Sequence, residues 1–80
     1  MTSTTRAGSA RAGQVRVVVN GDERTVPGGR TASDLLTHLG LRPGMVVVEL
    51  NREILRGDEI ERTEIRDGDR VELVHFVGGG

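Results

Sequence analysis

Eighty residues with 35% apolar content and a formal charge of −1 make one small domain, which buries about 60% of its unfolded surface and has little room for an enclosed catalytic cleft. Eleven Arg stand against twelve Asp and Glu with no run of one sign, which excludes a nucleic acid or an anionic membrane held mainly by electrostatics. No Cys is present, so disulfides, a thiolate nucleophile and a thiolate metal site are excluded too. The chain also lacks Lys, leaving no side-chain amine to react with an activated acyl group.

Residues 1–14, MTSTTRAGSARAGQ, contain no apolar segment. They therefore fail as a secretory signal, which needs roughly 7–15 apolar residues, and read as a disordered N-terminal extension. No stretch is long enough to span a membrane, and a cytoplasmic domain is expected.

From residue 15 the pattern alternates. Val15, Val17 and Val19 share one face, and Asn20-Gly21 follows. Both residues tolerate the positive φ of a type I′ turn, so strands of 15–19 and 22–26 are expected on either side. Pro27-Gly28-Gly29 breaks the second strand. In TASDLLTHLG the period changes to helical. Thr31 and Asp34 form a capping-box pair, Ala32, Leu35, Leu36 and Leu39 make one apolar stripe, and Gly40 stops the helix.

Strand character returns at 45–50, Asn51-Arg52 turns the chain, and 53–55 is a short partner strand. About ten polar residues follow, with Ile60 and Ile65 as anchors of a long loop and DEIER as a solvated part of it. Asp67, Gly68 and Asp69 form a turn, and the last strand covers 70–77. One helix must cover one face of one mixed sheet, because neither buries its apolar side alone.

Side chains alternate between the faces of a strand. With Val15, Val17 and Val19, then Val46, Val48 and Leu50, then Val71 and Leu73 turned to the core, Val18, Val47, Val74 and Phe76 fall on the helix-free face. If these strands are neighbours, the four make an exposed apolar patch for partner docking. Scattered exposed valines are the bland alternative.

Past Phe76 come Gly78, Gly79 and Gly80. Without Cβ, an extended glycine run passes through channels that admit no side chain, and three residues reach roughly 10 Å. The functional group at its end is the Gly80 carboxylate, which needs activation before it can acylate anything. PGGR lacks the spacing of a phosphate-binding loop, so activation is expected from a partner. His38 and His75 are isolated and read as structural or solvent-facing, with no metal site expected. Nothing in the spacing of Ser, His and Asp points to a triad.

VNG at 19–21, TASDLL at 31–36, VELN at 48–51, DGD at 67–69 and VELVHFVGGG at 71–80 resemble the ubiquitin-like β-grasp sulfur carriers, and among them the ThiS family of thiamine biosynthesis. The resemblance covers about residues 15–80. It implies an α+β ubiquitin-like β-grasp over 15–77, with a mixed four- to five-stranded sheet, one main helix packed on one face and a flexible 78–80 tail. It further implies a carrier and not an enzyme. Gly80 would be adenylated by an E1-like adenylyltransferase of the ThiF type, converted to a thiocarboxylate by a sulfur donor protein, and used by a thiazole synthase of the ThiG type. Gly78 and Gly79 would thread the tail into these partners. ATP would be used by the activating enzyme, with no cofactor bound to the carrier itself, which is expected to be a monomer when free.

Within the same fold, the small subunit of molybdopterin synthase and the cysteine-forming sulfur carriers also end in diglycine. They tend to have Pro-containing segments before it, where this chain has HFV. A ubiquitin-like protein modifier, with Gly80 in an isopeptide bond to a target Lys, and a non-covalent interaction module are the other readings.

Overall fold

A computed structural model describes residues 13–76. Residues 1–12, most of the expected N-terminal extension, lie outside the described residues, as do the last strand position 77 and the tail residues Gly78, Gly79 and Gly80. The elements in order are β1 (Gln14–Val19), β2 (Asp22–Pro27), α1 (Ala32–His38), a single 3-10 turn (Pro43–Met45), β3 (Val46–Leu50), β4 (Glu53–Leu55), α2 (Glu59–Arg62) and β5 (Arg70–His75). The five strands form one sheet in the order β2-β1-β5-β3-β4. Only β1 and β5 are parallel; the other neighbours are antiparallel.

Each element follows from local chemistry. Asn20 and Gly21 both take positive φ, 49° and 86°, the type I′ geometry that matches the twist of flanking strands. Thr31 and Asp34 close the capping box at the start of α1. At its end, the Gly40 N–H donates to the Thr37 carbonyl and the Leu41 N–H to the Leu36 carbonyl, a Schellman closure with Gly40 at φ 80° in the position that favours glycine.

The core lies between α1 and one face of the sheet. Ala32, Leu35 and Leu36 of α1 meet Val17, Val48, Val71 and Leu73 of the central strands, in the phase read from the alternation. Ile60 and Ile65 are both buried, as anchors should be. The loop they pin differs from expectation, because Glu59–Arg62 closes one helical turn where the sequence reads as an irregular solvated loop. A four-residue turn with one buried residue, Ile60, is too short to show a helical period. Beyond it, Ala32 and Ile65 donate their N–H groups to the carbonyls of Thr63 and Arg30, which ties the loop to the start of α1.

Candidate functional site

Strand β5 is the centre of the sheet and the segment that leads toward the glycines. Hydrogen bonds from three turns hold it. The Asn20 carboxamide accepts from the Leu73 N–H at 2.7 Å and donates to the Leu73 carbonyl at 3.2 Å. Asn51 accepts from the Arg70 N–H through its side chain at 2.9 Å and donates its own N–H to the Arg70 carbonyl. In the Asp67–Asp69 turn, Asp67 accepts from the Arg16 N–H at 2.8 Å, Asp69 accepts from the Asn51 Nδ2 and from the Arg66 N–H, and Gly68 donates to the Arg16 carbonyl. Asn20 of VNG, Asn51 of VELN and Asp67 and Asp69 of DGD thus spend their hydrogen bonds on placing β5 and its neighbours.

Past this anchorage the strand turns apolar groups outward. Val71 and Leu73 are buried, while Val74 is 62% exposed and Phe76 59% exposed on the opposite face. The Phe76 N–H donates to the Met45 carbonyl at 3.0 Å, so the chain leaves the sheet beside the Pro43–Met45 turn. Val47 is the direct cross-strand partner of Val74.

The register divides the four residues expected to form one patch. Val47, Val74 and Phe76 come together, but Val18 does not join them. Although β1 does neighbour β5, Val18 pairs with Arg70, four residues and about 13 Å before Val74 along the strand. It is half-buried between Glu23 and Arg70. The parallel β1–β5 pairing ends at Val19–Val71, so no residue of β1 reaches the level of Val74.

Two exposed apolar residues escaped the sequence reading: Ile54, 47% exposed, and Met45, 37% exposed. Ile54 sits opposite Glu49 and so shares the helix-free face with Val47. The alternation in EIL holds that signal, since Leu55 packs against the core. Met45, expected to open the third strand, lies on the 3-10 turn before it.

Other groups lie apart. His38 ends α1 and His75 ends β5, both exposed. Among the described residues no three His, Asp or Glu side chains gather as metal ligands. The Thr31 backbone N–H, then its hydroxyl, hold the Asp34 carboxyl below its usual value. A groove of about 290 Å³ lined by Val26, Pro27, Leu35 and Ile65, with Arg30 and His38 on it, lies toward the β1 start, where Pro27 pairs with Gln14. Phe76 lies past the other end of β1. The outward face of Val47, Val74 and Phe76 offers an apolar surface that can bind and position a partner.

A five-stranded mixed sheet folded over one main helix, with its last strand central, is the ubiquitin-like β-grasp. The ThiS family model matches residues 13–80. The chain is 44% identical over 50 residues to the sulfur carrier protein ThiS of Bacillus subtilis, covering 62% of this chain and 76% of that protein. It is 38% identical over 66 residues to a thiazole synthase of Paramagnetospirillum magneticum, covering 82% of this chain but only 20% of that longer protein. The crystal structure of the thiamine biosynthesis protein ThiS from Geobacter metallireducens superposes with a TM-score of 0.70 at 38% identity, over 82% of this chain and 100% of that one. The chain belongs to the ThiS family.

Proposed function

We propose that this chain is the sulfur carrier for thiazole formation in thiamine biosynthesis, a co-substrate of other enzymes and not itself a catalyst. The observation that carries this reading is the family match, which extends through Gly80 and thus includes the glycine run beyond the anchored β5. An oxygen of the Gly80 carboxylate attacks the α-phosphorus of ATP on an E1-like adenylating enzyme, and pyrophosphate leaves. Hydrosulfide, released at the sulfide oxidation level by a donor protein, then attacks the acyl carbon; the C–S bond forms, the C–O bond to AMP breaks, and the loss of a proton leaves a thiocarboxylate. A thiazole synthase takes up that sulfur. Similarity to proteins named thiazole synthase over the carrier-sized portion alone supports this last partner.

In this reading Gly78 and Gly79 thread the narrow channels of both enzymes, because a Cβ there would block them. Val74, Phe76 and Val47 dock the body against the activating enzyme while the tail is inside it. The carrier is a monomer between encounters and works in the cytoplasm, where ATP is supplied. Among the described residues no helix is long and apolar enough to cross a membrane.

Incubating the chain with the E1-like enzyme, Mg-ATP and a sulfur donor, then measuring intact mass, tests the assignment. The expected gain is about 16 Da, the exchange of O for S at the activated acyl group, and adding thiazole synthase with its other substrates should remove it. Conjugates on other proteins in place of the thiocarboxylate would show a protein modifier. A thiocarboxylate consumed only by a molybdopterin-forming or cysteine-forming synthase would move the carrier to that pathway.

A further inference from the structure

The helix-free face holds a pair of like charges set directly against each other. Glu49 of β3 and Glu72 of β5 are direct partners across the antiparallel ladder. Both point away from α1, because the flanking Val48, Leu50, Val71 and Leu73 are in the core. Side chains so opposed have Cβ atoms about 5 Å apart, and like charges in that position repel. Both glutamates are half-buried, with the Val47–Val74 pair beside them on one side and Ile54 across from Glu49 on the other. Neither makes an ion pair among the described residues, where the salt bridges are Arg62–Asp58 and Arg66–Glu64, both on the loop around α2. The nearest cation on this face, Arg70, lies two residues before Glu72 on β5 and across from Val18, yet it forms no salt bridge with either glutamate among the described residues.

A repulsive pair in the middle of a sheet, bordered by exposed apolar groups, describes a partner with a cation among apolar residues. We propose that Glu49 and Glu72 form a socket for one Arg side chain of the adenylating enzyme, seated as that enzyme covers Val47, Val74 and Phe76. The inference rests on the carrier reading for the identity of the partner. A planar guanidinium can bridge two carboxylates through its fork of N–H donors, which an ammonium does less well. The apolar border excludes water and weakens screening of the contact. A surface lacking the cation would bury two unpaired carboxylates and be rejected, so the socket gives specificity as well as affinity.

The expected signature has opposite signs in the free and bound states. Glu49→Gln and Glu72→Gln each remove the repulsion, so the free domain should unfold at a higher urea concentration than wild type. Binding to the adenylating enzyme, measured by calorimetry at low salt without ATP, should weaken about tenfold for each. Wild-type affinity should fall with added NaCl, and that of the double variant should hardly change. Variants that bind as tightly as a wild type that is loaded normally overturn the socket alone. Loss of stability in both variants also overturns it, by showing that the pair is satisfied within the domain. A wild type never converted to a thiocarboxylate overturns the carrier reading, and the socket with it.

Discussion

Asn20 and Leu73 are 53 residues apart, yet the carboxamide of one makes both backbone hydrogen bonds of the other, at 2.7 and 3.2 Å. The β1–β5 ladder ends at Val19–Val71, and the side chain of the next residue continues it in place of a backbone. This is also the point where β5 begins to turn Val74 and Phe76 outward. An Asn at the first central position of the turn thus does two things: it accepts positive φ and anchors the strand that leads toward the glycines.

Replacing Asn20 by Gly keeps the backbone freedom and removes the carboxamide, isolating its hydrogen bonds. A loss of about 1–3 kcal/mol is expected for the part-buried Leu73 N–H and C=O left unpaired. Asn20→Ala should cost more, since it adds left-handed strain. Urea unfolding gives both numbers, and amide exchange at Leu73 should quicken selectively. Equal stability of Asn20→Gly and wild type would show that the contact is energetically idle.

The second Asn turn is built with a less suitable residue. Asn51 and Arg52 have φ of 50° and 74°, so Arg52 occupies a left-handed position where an L side chain is disfavoured by about 1–2 kcal/mol. Arg52→Gly should raise stability by about 0.5 kcal/mol once the extra freedom of glycine in the unfolded chain is offset. A fall in the thermal midpoint would mean that the Arg52 side chain makes a stabilising contact that outweighs its strain.

The capping box gives a pH dependence with a definite sign. The carboxyl of Asp34 is held below its usual value by the Thr31 N–H and hydroxyl, so its contribution is full above the unfolded value of about 3.9. It is lost as pH falls through the lower folded value. The difference in melting temperature between wild type and Asp34→Ala should be steady from neutral pH to about 5 and should shrink below about 4. Thr31→Ala should cost about 1 kcal/mol at neutral pH. A difference that persists unchanged to strongly acid pH would refute the charged cap.

Surface and core on β5 should separate cleanly. Val74→Asp and Phe76→Asp alter residues with most of their surface in water, so both should leave the unfolding midpoint nearly unchanged and weaken binding to the adenylating enzyme. Leu36→Ala, at 0% exposure, should cost about 2–5 kcal/mol. Val18→Thr, displaced from the patch by register, should change neither binding nor stability by much. If Val18→Thr weakened binding as strongly as Phe76→Asp, the interface would extend along the whole of β5.

Much of this molecule follows from contacts within a few residues. Alternation placed Val71 and Leu73 inside and Val74 and Phe76 outside. Asn20-Gly21, the Thr31–Asp34 cap and Gly40 marked where elements turn, start and stop, because φ preference and capping are local. Beyond the two hairpins, the tertiary structure alone decided which strands lie side by side and in what register. Register moved Val18 away from Val74. It set Glu49 against Glu72 and joined Asn20 to Leu73 and Asn51 to Asp69. Those relationships join residues 18 to 53 positions apart and depend on how the whole sheet closes over α1, which no periodicity within one segment encodes.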